Sequence, residues 1–61
     1  MQIEVGQWWY PKNPLMSAFH VDASINNLVY VSFKTSDPVW ITREEFGMLV
    51  NNSKAELRIP K

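Results

Sequence analysis

Residues 37–46 read Asp37-Pro38-Val39-Trp40-Ile41-Thr42-Arg43-Glu44-Glu45-Phe46, and they begin in the rhythm of a strand and end in that of a helix. Pro38 is harmless at a strand's first position, where no ladder donor is required. Val39 and Ile41 alternate onto one face. Thr42 followed by Glu45 is an S/T-x-x-E capping box, and Glu44 and Glu45 sit in a first turn where the helix dipole favours negative charge. Phe46, Leu49 and Val50 supply a short apolar helical face, which Asn51-Asn52-Ser53 is expected to end. The alternation leaves Trp40 pointing away from the core.

Working toward the N-terminus, residues 28–34 carry Val29, Val31 and Phe33 against Tyr30, Ser32 and Lys34. Residues 17–23 carry Phe19, Val21 and Ala23 against Ala18, His20 and Asp22. Both read as half-buried strands. Core faces must meet, so Phe19 is paired with Phe33, Val21 with Val31 and Ala23 with Val29, leaving Ile25-Asn26-Asn27 as a loop in which asparagine tolerates left-handed backbone. Pairing Phe33 with Val39 and Val31 with Ile41 then puts Thr35-Ser36-Asp37 in the next turn. Residues 2–10 read as a first strand with Gly6 as a bulge or sharp bend, stopped by Pro11 and Pro14. Residues 54–59 alternate with Ala55, Leu57 and Ile59 inward and Lys54, Glu56 and Arg58 outward, and Pro60 ends the order.

The expected fold is mainly β. Residues 1–61 form a single domain, a small SH3-like five-stranded barrel with one short helical turn between strands 4 and 5. An OB-type barrel fits less well, because its helix follows the third strand and its chain is longer.

Sixty-one residues bury only about 60% of the surface that the unfolded chain exposes, so the core is small. Three Trp, three Phe and two Tyr are a heavy aromatic load for such a core, and some of the rings are expected at the surface. There is no cysteine, which excludes disulfides and thiolate metal sites and suits a reducing cytoplasm. Six basic residues balance six acidic ones, so the positive field that drives sequence-independent phosphate binding is missing and nucleic acid is a disfavoured partner. No apolar run reaches the roughly 18 residues of a membrane span, and Met-Gln-Ile-Glu-Val lacks the basic start of a signal peptide.

Three features together resemble short bacterial and bacteriophage domains of unknown function built as SH3-like folds. They are Ile3-x-x-Gly6 before an aromatic cluster, the strand Leu28-Val29-Tyr30-Val31, and Val39-Trp40-Ile41-Thr42 leading into Glu45-Phe46. The resemblance implies the fold and a phage or mobile-element accessory role. Residues 11–16, Pro-Lys-Asn-Pro-Leu-Met, depart from that outline.

Catalytic constellations are not expected. The single histidine, His20, faces outward, no serine lies in a Gly-x-Ser-x-Gly elbow, and two glycines make no phosphate loop. Glu44 and Glu45 are accounted for by the capping box. Val39-Trp40-Ile41-Thr42 also fails to reproduce the Val-Gln-Ile-Tyr segment of the SH3-like type II dihydrofolate reductases. No enzyme, cofactor or metal is therefore expected.

With these registers, His20, Ser32 and Trp40 form one outward row and Asp22, Tyr30 and Thr42 the next, so Trp40, Tyr30 and His20 make one patch. Trp8 and Trp9 are consecutive and must point to opposite faces, and either can join the patch. The expected partner-binding residues are Trp40, Tyr30, His20, Trp9 and Asp22, on a non-enzymatic protein-binding module such as a phage inhibitor or adaptor. A single-stranded nucleic-acid-binding barrel is the alternative. Three other fates for the patch stay open: cover by residues 11–16, cover by the first strand's aromatics, and burial in a homodimer.

Overall fold

The computed structural model describes residues 2–58; the expectations for Ile59 and Pro60 fall outside them. In chain order the elements are β1 (Trp8–Tyr10), β2 (Phe19–Ile25), β3 (Leu28–Phe33), β4 (Val39–Thr42), α1 (Arg43–Ser53) and β5 (Glu56–Arg58). The strands form one antiparallel sheet in the order β4-β3-β2-β1-β5. The mainly β architecture and the helix between β4 and β5 are as the sequence predicts. The sheet itself is open: β4 and β5 are its two edges and, among the described residues, do not pair with each other.

One face of the sheet is dry. Trp9, Phe19, Val21, Val29 and Val31 line it, and Phe46 of α1 closes over them. The Phe46 ring meets Phe19 at 5.7 Å and Trp9 at 5.8 Å, both edge-on, the arrangement that the aromatic quadrupole favours. The radius of gyration is 10.6 Å, against about 10.5 Å for a folded domain of this length, so an unclosed sheet still packs fully around this one cluster.

The registers differ from expectation at two places, for separate reasons. In the β2–β3 hairpin Phe19 opposes Phe33 and Val21 opposes Val31 as expected, but a bulge between Val21 and Ala23 brings Ala23 opposite Tyr30, not Val29. Asn26-Asn27 is then a two-residue turn closed by the pair Ile25 and Leu28, with Asn26 in the left-handed region at φ 53°. Between β3 and β4 the pairing is Val31 with Val39 and Val29 with Ile41, two residues away from the expected Phe33–Val39 and Val31–Ile41. An even shift keeps every side chain on its face, so alternation alone does not distinguish the two registers. What does is the helix start: Arg43 N–H donates to Asn27 O at 2.9 Å, Asn27 Nδ2 donates to Glu44 Oε2 at 3.0 Å, and Arg43 reaches Asn26 O and Ser24 Oγ.

The first strand is shorter than expected. Residues 2–7 lie outside the strand itself, although Gly6 N–H donates to Val21 O at 2.9 Å and Gln7 O accepts from Val21 N at 3.0 Å. Val5 and Gly6 form a turn with Gly6 at φ +97°, the sharp bend expected there. A Cβ at Gly6 would meet nothing within 4 Å, so glycine is needed there for its backbone freedom and not for space. Gln7 holds the turn together, its Oε1 accepting from Glu4 N and from Trp9 Nε1.

The helix runs for 11 residues, well beyond one short turn. Its start is the predicted capping box: Thr42 Oγ1 accepts from Glu45 N at 3.1 Å, and Glu45 Oε1 accepts from Thr42 N at 3.0 Å. Asn51, Asn52 and Ser53 lie inside the last turn, because Ser53 returns its hydroxyl to Leu49 O at 2.7 Å and is buried. The stop is Lys54, left-handed at φ 53°, which therefore belongs to the cap and not to β5. β5 accordingly starts at Glu56, with Ala55 packed against the core.

Replacing Thr42 with Ala should cost about 1 kcal/mol in chemical denaturation. Lys54→Gly should raise stability by up to about 1 kcal/mol, since glycine relieves a left-handed position that β-carbons disfavour. Glu44 is held below its ordinary value of 4.5, first by backbone N–H donation at the helix start and then by Asn27. A depressed carboxylate stabilises the fold above its unfolded pKa and loses that contribution as pH falls through the folded one. Glu44→Gln should therefore flatten the loss of thermal stability measured below about pH 4.5.

Candidate functional site

The second face of the sheet has no element packed on it among the described residues. Residues opposite each other across antiparallel strands share a face, so its composition follows from the pairings. Trp8 opposes His20 and Arg58, His20 opposes Ser32, Ala23 opposes Tyr30, Tyr30 opposes Trp40, and Ile25 opposes Leu28, which opposes Thr42. The bulge is decisive here. It leaves Asp22 beside His20 and turns Ala23 and Ile25 outward with Tyr30, where unbroken alternation would send them to the core.

This outer face has three zones. On the β3–β4 side, Tyr30 and Trp40 are stacked with ring centroids 4.8 Å apart and planes inclined by 34°. Ile25, Leu28 and Trp40 beside them are 57%, 42% and 43% exposed, so the zone is apolar, contiguous and uncharged. At the opposite side, the Trp8 ring lies 4.6 Å from that of His20 and 6.5 Å from that of Tyr10, and the Arg58 guanidinium sits 4.6 Å over Tyr10. Cation–π contact of that kind keeps both groups at the surface.

Between them is a polar strip in which Asp22 Oδ1 accepts from Ser32 Oγ at 3.1 Å and contacts His20 Nδ1. The three residue types match a hydrolytic triad, but the order does not. The serine hydroxyl donates to the carboxylate, whereas a nucleophile has to reach the imidazole. No group of three or more His, Cys, Asp or Glu side chains is gathered as a metal site among the described residues.

The residues singled out from sequence are distributed as follows. Trp40 and Tyr30 are direct neighbours. His20 lies in Trp8's row and not in Trp40's, since the β3–β4 register moves Trp40 to the level of Tyr30. Asp22 occupies the bulge. Trp9 is a correction: at 6% exposure it belongs to the core, against Phe46, and Trp8 takes the outward position. The 11–16 loop is tied at Lys12, whose N–H donates to Ser53 O, to the end of the helix on the other side. Ile25 and Leu28 went unrecognised in the sequence, although Asn26-Asn27 flanked by two β-branched or aliphatic residues is itself a two-residue hairpin signal.

Fold and face together define a small mainly β protein with one covered and one open sheet surface. Comparison with protein-family models, curated proteins and solved structures returned no match. No helix among the described residues is long and apolar enough to cross a membrane.

The two adjacent tryptophans should separate cleanly on mutation. Trp9→Ala should cost about 3–5 kcal/mol in urea denaturation, while Trp8→Ala should change stability by less than about 1 kcal/mol.

Proposed function

We propose that this chain is a protein-binding module, not an enzyme, that captures its partner on the outer face of the sheet. The observation that carries this reading is the continuous zone Ile25, Leu28, Tyr30 and Trp40, uncharged and with no element packed on it among the described residues. Aromatic and aliphatic side chains held on a rigid sheet present large area at little entropic cost, and they act as anchors in interfaces. His20, Asp22, Trp8 and Tyr10 border it as a rim that supplies hydrogen bonds and orientation.

The strand order β4-β3-β2-β1-β5, with a helix between the last two strands in sequence, supports reading the fold as a small SH3-like barrel left open between β4 and β5. The outline resemblance to short phage domains supports an accessory role in a bacteriophage or mobile element, as inhibitor or adaptor of a host protein. The absence of cysteine suits work in a reducing cytoplasm.

Affinity capture from bacterial lysate tests the reading. Trp40→Ala and Leu28→Ala should each remove the captured protein while leaving the circular dichroism unchanged, and Met48→Ala, exposed on the helix at the other side, should retain it. Equal capture by all four proteins would sink the proposal. Arg58 over Tyr10, next to Trp8, is the feature that favours the single-stranded nucleic acid alternative. Labelled oligonucleotides at low salt should show no binding if the protein-partner reading is right.

A further inference from the structure

The two sheet edges are unlike. β5 ends the sheet with charged Glu56 and Arg58, the first paired with Lys12 at 3.1 Å and the second lying over Tyr10, and charge at an edge discourages further pairing. β4 runs Val39-Trp40-Ile41-Thr42 without a charge.

The direction of the β4 backbone groups follows from one hydrogen bond. Arg43 N–H donates to Asn27 O, which makes Asn27–Arg43 a hydrogen-bonded pair in the β3–β4 ladder. Alternation then makes Val29–Ile41 and Val31–Val39 hydrogen-bonded and Tyr30–Trp40 not. The N–H and C=O of Trp40 therefore point to the open edge, as do the backbone groups of Pro38 and Thr42. Pro38 has no N–H. Thr42 N–H is held by Glu45 Oε1, and Thr42 C=O, at the N-cap, takes the first helical bond. Among the described residues, Trp40 alone offers both a free donor and a free acceptor at this edge.

We propose that β4 pairs with β4 of a second copy of this chain, antiparallel about a two-fold axis, with Trp40 opposite Trp40 of the other copy. In this register each Trp40 N–H donates to the other Trp40 C=O. Pro38, which lacks a donor, faces a Thr42 carbonyl that is already taken; the engaged Thr42 N–H faces the Pro38 carbonyl. No N–H is left facing the engaged Thr42 carbonyl, as the N–H of an ordinary residue in place of Pro38 would be, and the Pro38 carbonyl is the one acceptor left without a donor. Val39 meets Ile41 on the inner face, which accounts for the 44% exposure of Val39, a residue whose alternation assigns it to the core. On the outer face the Tyr30–Trp40 stacks of two copies become one row across the axis. The open face then serves as a composite platform of two equal halves. The pairing stands independently of the partner reading, because it is read from mass alone.

The register is tested by charge exchange across the axis. Sedimentation of the wild type at concentrations up to roughly 100 µM, which covers the weak affinities of small interfaces, should give twice the 7.1 kDa of the chain. W40K and W40E should each run as folded monomers, since like charges face each other at the axis. Their equimolar mixture should return to the doubled mass, because each W40K chain then faces a W40E chain. A monomeric wild type, persistence of the dimer in both variants, or failure of the mixture to associate would each overturn the proposal. If either variant loses its circular dichroism signal, the pair W40R and W40D repeats the exchange with the same expected outcomes.

Discussion

The whole arrangement depends on the contact between the Asn26-Asn27 turn and the first residues of the helix. Arg43 donates from its backbone to Asn27 and from its side chain to Asn26 and Ser24, while Glu44 accepts from Asn27. A hairpin tip and a helix start are both rich in unsatisfied backbone groups, and here each satisfies the other. Because Thr42 caps the same helix, the strand before it is anchored in register against β3. Moving β4 by two residues would keep its faces intact but would pull the helix off the turn, and Phe46 out of its place between Phe19 and Trp9.

The second constraint is the bulge at Asp22. A hairpin closed by a two-residue turn demands that Ile25 and Leu28 oppose each other, whereas the core demands that Val21 oppose Val31. Both conditions hold only if β2 carries one extra residue between them. The extra residue is polar, and its carboxylate is satisfied locally by Ser32 and His20, so the mismatch costs no buried unpaired charge. Its consequence is functional: Ala23 and Ile25, beyond the bulge, move to the open face beside Tyr30 and Leu28 and complete the apolar zone around Tyr30 and Trp40.

The aromatic load divides along the same line. Trp9, Phe19 and Phe46 are fixed edge-on in the small core, where their area counts most. Trp8, Tyr10, Tyr30 and Trp40 lie on the other side of the sheet, and each rests against a ring or guanidinium neighbour. A core this size has no room for a second set of rings, so the open face is where composition alone requires them to go.

Thr42 with Glu45, the inward set Phe19, Val21, Val29 and Val31, the pinning role of Phe46 and the outward turn of Trp40 and Tyr30 were all determined by sequence. They rest on local chemistry and on a period of two, which neighbours along the chain express directly. The choice between Trp8 and Trp9, the outward position of Ile25, the level at which Trp40 meets its neighbours and the length of the helix were decided only by tertiary structure. Parity says which residues share a face but not how far a strand has slid by even steps. A bulge reverses parity at a point that alternation does not mark, the Asn26-Asn27 turn being its one local cue, and a helix ending in Asn51-Asn52-Ser53 continues when a buried hydroxyl can bond back to Leu49. Those outcomes were set by how the turn, the helix start and the small core had to fit together.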